Sequence, residues 1–261
     1  MLIAGNRMYL AKRGTDSIIH RLRLYIDPID STWFDKLKPA SVKQIIELEQ
    51  RLNLNSLHLE LPESFVEFLR YAGENAGGLF YTLQAEMSIS SLLSNKAGVY
   101  INEADSMRPY CFDFMRDNIG LSYSLNLCEE NQKIFMEDTY EISDNFENLL
   151  FQCAVDKYEK HYFQFSEGFS ASINGFRSSE IGKKDRDLFD YVHEVAEQYH
   201  LQEAWFSDIC CHFSFSEELS LMINRSGGGF RGRICFNDPQ MVIALNKTLL
   251  SKIGAKTNEI E

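Results

Sequence analysis

The sequence predicts an α+β protein in which an antiparallel β-meander packs with helices and is followed by a second α+β unit. Three observations carry that expectation. Apolar residues recur at 3.6-residue spacing in residues 41–52, 61–72, 143–154 and 184–200, the signature of amphipathic helices. Residues 110–137 break into the alternating runs YCFDFM, LSYSLNL and KIFME, separated by the polar turns RDNIG and CEENQ. Short alternating runs with polar turns between them are strands joined by hairpins. From about Asp156 the succession of strand and helix patterns starts again, which gives units of 1–155 and 156–261.

Taken in order, residues 1–40 form a basic extension in which RLRLYID (Arg21 to Asp27) alternates and is expected to be a strand closed by Asp27-Pro28. Ser41 caps a helix on Val42, Ile45, Ile46, Leu48 and Leu52. In ELPESFVEFLRYAG, Pro62 opens a helix whose Phe65, Phe68, Leu69 and Ala72 make one apolar stripe, with Gly73 as its C-cap. Leu79 to Leu83 is expected to be extended, residues 86–95 a short helix, and Val99 to Met107 another short element. After the meander, Ser143 or Asp144 caps a helix on Phe146, Leu149, Leu150 and Cys153. In the second unit HYFQF, SASINGF, AWFSDICCHFSF, ELSLMIN and GRICF are expected strands. KDRDLFDYVHEVAEQYH and residues 239–253 are expected helices, and the tail after Gly254 is expected to be disordered.

Composition sets limits on function. The 19 Phe and 12 Tyr supply an aromatic core. No apolar run reaches the roughly 20 residues of a membrane span, and the first residues lack the apolar stretch of a signal peptide. The expectation is a cytoplasmic protein without a membrane partner. The six cysteines include no C-x-x-C pair and are expected to be small buried hydrophobes. Net charge is −12, distributed unevenly: residues 41–160 carry 9 Lys and Arg against 20 Asp and Glu. A field of that sign repels phosphate, which disfavours nucleic acid as a partner, and attracts a basic protein.

Three stretches carry residue types that could support chemistry. His193, Glu197 and His200 in HEVAEQYH could share a helix face, but the metalloprotease pattern needs a second His where Glu197 stands. Cys210 and Cys211 are adjacent, so in a strand they point to opposite faces and cannot chelate together. NRSGGGFRGR has three glycines among Arg225, Arg231 and Arg233. A phosphate loop requires a helix after its glycines, whereas the strand pattern of GRICF makes this a hairpin tip. The expectation is a protein that is not an enzyme, with no catalytic residues, metal or cofactor.

The segments I-x-E-L-E-x-x-L (Ile45 to Leu52), L-P-E-S-F-x-E-F-L (Leu61 to Leu69), FDFMRDNIGLSYSLNL and KIFMEDTYEISDNFENLL resemble the SUKH superfamily. That superfamily includes fungal cell-wall assembly regulators and bacterial toxin immunity proteins, and the likeness covers roughly residues 41–154. The resemblance implies an intracellular immunity protein that binds and neutralises a cognate toxin, a basic nuclease-type one being the best fit to the acidic charge. The contacts then expected are the acidic residues of the meander turns, Asp113, Asp117, Glu129, Glu130, Glu137 and Asp138. Two alternatives stand beside it: a regulatory protein-binding scaffold, and a metal-dependent enzyme in the C-terminal unit using His193, Glu197 or His212. The toxin's identity, the oligomeric state and the role of residues 156–261 are not legible in the sequence.

Overall fold

The computed structural model describes residues 10, 12–94, 98–100, 110–127, 132–137, 140–184, 187–226 and 228–260. The chain forms two compact units. One is Gly14–Lys157, and the other is Tyr158–Glu261 together with the residues before Gly14. The C-terminal boundary of the first unit thus falls two residues from the expected one, while the first thirteen residues group with the second unit. Among them, the Leu10 carbonyl accepts from Trp205 N–H at 3.0 Å and the Arg13 guanidinium stands 5.8 Å from the Trp205 ring centre.

The N-terminal unit contains α1 (Ile18–Ile26), β1 (Leu37–Lys38), α2 (Val42–Arg51), α3 (Leu54–Leu57), α4 (Glu63–Ala72), β2 (Asn75–Ala76), β3 (Ala85–Glu86) and α5 (Ile89–Ser94). The meander follows as β4 (Cys111–Asp117), β5 (Ser122–Asn126), β6 (Ile134–Met136) and β7 (Tyr140–Ser143), and α6 (Phe146–Tyr158) closes the unit. Strands β3 to β7 form one antiparallel sheet in sequence order.

α1 corrects the expected strand at Arg21–Asp27. The alternating window was too short. Extended back to Ser17, the segment shows Ile18, Ile19, Leu22, Tyr25 and Ile26 buried at helical spacing, with Ser17 accepting from His20 N–H as N-cap. Leu79–Leu83 is likewise a 3₁₀ turn and not extended, entered and left through left-handed residues Gly78 and Gln84. α2 is as expected and carries a full capping box between Ser41 and Gln44. Neither Ser143 nor Asp144 caps α6; Asn145 does, its side-chain oxygen accepting from Asn148 N–H at 2.9 Å. β7 was not anticipated, and most of Val99–Met107 lies outside the described residues.

The core explains the ELPESFVEFL stretch. Pro62 stands at the N-cap of α4, which turns Phe65 and Phe68 inward. Phe65 meets Phe146 edge-on at 4.9 Å between ring centres, Phe112 at 5.7 Å and Phe114 at 5.9 Å. Phe68 meets Phe146 at 5.6 Å and Phe80 at 5.9 Å. Phe112 and Phe114 are two apart on β4 and therefore share the sheet face that α4 and α6 cover. Edge-to-face pairs of this kind add about 0.5–1.5 kcal/mol each beyond burial. Gly73 is the C-cap of α4 as expected, in right-handed geometry.

The C-terminal unit contains β8 (Phe165–Ser172), α7 (Ile173–Ser178), α8 (Leu188–Gln198), β9 (Gln202–Glu203), β10 (Cys211–Phe215), β11 (Leu219–Ser226), β12 (Gly229–Phe236), α9 (Pro239–Leu245) and β13 (Lys256–Ile260). Its antiparallel sheet has the order β13-β8-β12-β11-β10-β9. Leu188, Tyr191, Val192 and Val195 of α8 pack into one core with Leu221 and Ile223 of β11 and Ile234 of β12. Four expectations change. AWFSDICCHFSF is a strand only over Cys211–Phe215. HYFQF is a 3₁₀ turn up to Tyr162, with the strand starting at Phe165. SASINGF is cut by Ser172, whose hydroxyl accepts from Gly175 N–H and starts α7. Residues Lys256–Ile260 of the tail form an edge strand where disorder was expected, with Lys256 and Thr257 paired to Ser170 and Phe169 of β8. The glycine-rich stretch is a hairpin tip as expected, with Ser226 opposite Gly229.

Candidate functional sites

The turn acids of the meander come first. Asp117 ends β4, and its Oδ1 accepts from the backbone N–H groups of Ile119 (3.0 Å) and Leu121 (2.8 Å). This is the Asx geometry that fixes a tight reversal. Glu137 Oε1 accepts from Ser122 N–H at 2.6 Å, and Glu137 N–H donates to the Ser122 carbonyl at 2.9 Å. Asp113 accepts from the Tyr100 hydroxyl at 3.0 Å and pairs with Arg116 at 3.3 Å. All three carboxylates therefore hold local structure. Glu129, Glu130 and Asp138 lie outside the described residues.

The structure brings Asp117 and Glu137 to one end of the sheet, because the start of β5 is bonded to the end of β6. Two large apolar side chains stand at the same end. Ile119 is 77% exposed and Tyr81 is 74% exposed. They are linked by backbone: Asn118 N–H donates to the Gln84 carbonyl at 3.0 Å, and Gln84 N–H donates to the Tyr81 carbonyl at 2.9 Å. Neither is among the residues expected to make contact. A signal was present in RDNIG, where an isoleucine occupies a turn tip at which polar residues and glycine are the usual choice.

A second cluster lies in the C-terminal unit. His193 on α8, Glu203 on β9 and His212 on β10 converge, although Glu203 was not singled out in the sequence. His193 Nδ1 is 3.3 Å from Glu203 Oε2, and His212 Nδ1 is 3.5 Å from Glu203 Oε1. His193 Nε2 is 3.4 Å from Glu197 Oε1. The buried His212 ring has Nε2 2.5 Å from Ser214 Oγ. The Glu203 carboxyl is held below its ordinary value of 4.5, first by the hydrogen bond from His212, against desolvation, and then by the charges of His212 and His193. His200 does not join them, since α8 stops at Gln198.

The chemistry open to this cluster is limited. Ser, His and Glu occur in the order of a nucleophilic relay, but Ser214 is fully buried, and a nucleophile must reach its substrate. Among the described residues, no group of three or more His, Cys, Asp or Glu side chains is placed to hold a metal ion. The arrangement ties α8 to the sheet edge. Arg225 is also used within the fold, pairing with Asp187 at 2.8 Å and stacking 4.6 Å over the Phe189 ring. The cysteines Cys111, Cys153, Cys210, Cys211 and Cys235 are buried and unbridged.

Fold and sites together define an α+β protein in which the described residues form a two-stranded ribbon of β1 and β2 and two larger antiparallel sheets packed against helices. No helix among the described residues is long and apolar enough to cross a membrane. No family model, no curated protein and no solved structure matches the chain.

Proposed function

We propose that the chain is a protein-binding module of the immunity type, which neutralises a basic toxin by occupying its surface. The observation that carries this reading is the concentration of acid in one unit: residues 41–160 hold 20 Asp and Glu against 9 Lys and Arg. Nearly all of that segment belongs to the compact unit Gly14–Lys157. The order of elements there, a capped helix, a Leu-Pro helix, a meander and a closing helix, is also the order that the SUKH resemblance implies. Basic clefts that grip phosphate are the natural complement of such a surface.

The test is co-expression with the product of the adjacent gene, followed by co-purification and a growth-protection assay. A complex that forms and protects cells supports the reading. A product that neither co-purifies nor harms unprotected cells overturns it. Electrostatic steering is tested separately: the association rate is expected to fall about tenfold or more between ~20 mM and ~500 mM salt, and a rate indifferent to salt removes charge from the account.

A further inference from the structure

We propose that the contact surface of the N-terminal unit is the β4–β5 turn end of its sheet, anchored by Ile119 and Tyr81, and that its occupant is a basic protein surface bearing an apolar socket. The inference rests on the reading of the chain as a toxin-binding protein, and it moves the interface from the turn carboxylates to the apolar tips beside them.

Isolated exposed hydrophobics are ordinary on a protein surface. This pair differs in two respects. Ile119 and Tyr81 are the two most exposed large apolar side chains among the described residues, and they flank the same backbone connection at one sheet end. The tip is also held rigidly. Asp117 bonds the N–H groups of Ile119 and Leu121, Gly120 N–H donates to the Asp117 carbonyl at 3.2 Å, and Asn118 is tied to Gln84. Gly120 takes a φ of +96°, with no atom within 4 Å of where a Cβ would be. The turn therefore projects into open space in a fixed shape. A preorganised apolar anchor loses little entropy on docking, and a buried aromatic or aliphatic anchor is the usual centre of an interface.

Charge chooses the occupant. Glu86 is exposed and lies opposite Arg116 in the β3–β4 register, with Ala85 opposite Asp117, and Glu137 is exposed on the neighbouring turn. Arg116 is engaged by Asp113, so among Asp113, Asp117, Glu86, Glu137 and Arg116 the acids outnumber the base four to one. The rim is thus anionic around an apolar centre, and a cationic rim around an apolar pocket complements it.

The experiment uses the full chain and the adjacent gene's product recovered with it by co-expression. Ile119→Asp is expected to weaken binding about 30-fold or more and Tyr81→Ala about tenfold, the range of central anchors. Val42→Asp, at a site 70% exposed on α2, is expected to bind as wild type, and Glu86→Lys to slow association and flatten its salt dependence. All four positions are exposed, so unchanged melting curves are expected and are checked. If wild type forms the complex and the Ile119 and Tyr81 variants bind equally well, this surface is wrong and the toxin-binding reading survives. Equal loss in Val42→Asp also overturns it. If wild type forms no complex, both readings fall.

Discussion

At the residue scale, the strongest structural commitment is a buried ion pair. Arg21 on α1 meets Glu147 on α6, and both side chains are more than nine-tenths buried. Arg21 Nε also donates to the Asp16 carbonyl at 2.9 Å, and its guanidinium stands 5.6 Å from the Phe151 ring centre. Removing one partner of such a pair leaves a charge in a low dielectric, whereas replacing both with apolar groups is often neutral. Glu147→Ala is expected to cost about 3–5 kcal/mol in urea unfolding, and Arg21→Met with Glu147→Leu to recover most of it. Glu203 gives a prediction in pH. Its folded value lies below the ordinary 4.5 because His212, and to a lesser degree the charge of His193, favour the ionised form. A depressed carboxylate adds stability above its unfolded value, and that stability is lost as pH falls through the folded value. The urea midpoint of wild type is therefore expected to exceed that of Glu203→Gln above the ordinary carboxyl value of 4.5, and the difference to shrink as pH is lowered below it. A difference independent of pH would show that the His–Glu cluster contributes packing alone.

At the scale of elements, Gly73 ends α4 for a reason other than handedness. Glycine after a helix suggests left-handed geometry, yet its φ is −63°. What the fold needs is space: a Cβ there would lie 2.6 Å from both Ala40 Cβ and the Leu69 carbonyl. The lack of a side chain lets the backbone just ahead of α2 press on the end of α4, where Ala40 N–H donates to Leu69 O at 2.9 Å. Gly73→Ala is expected to destabilise by about 1–3 kcal/mol, as overpacking does, measured by thermal unfolding. An unchanged melting temperature would mean the junction relaxes freely. α1 teaches the complementary lesson. RLRLYID alternates over seven residues, and only the preceding Ser17-Ile18-Ile19 reveals the helical period. A window shorter than two helical turns does not separate the two periods.

For the whole molecule, the end of the chain is the sharpest test. The polar, glycine-led tail after Gly254 has the composition of a frayed terminus, but it supplies the edge strand β13 of the six-stranded sheet. Truncation after Ile253 exposes the unpaired edge of β8. It is expected to lower the melting temperature by several degrees, about what ~1–2 kcal/mol produces in a domain of this size, and to speed proteolysis within β8. A truncated chain as stable and as resistant as wild type would place β13 outside the cooperative fold. The residues before Gly14 also group with the C-terminal unit, which no composition boundary in the sequence marks.

The α+β class, the meander, the capped helix α2 and the aromatic face of α4 are legible in the residues alone, because each is written in a local period or a cap. The uneven charge is legible too, since charge needs no coordinates to be counted. Only tertiary structure decided that α1 is a helix against α6, that the tail is a strand, and that Glu203 joins His193 and His212 from three separate elements. It likewise decided that the visible turn acids hold their own turns while Ile119 and Tyr81 face solvent. Contacts between residues distant in the chain leave no period behind, so one sequence alone does not display them.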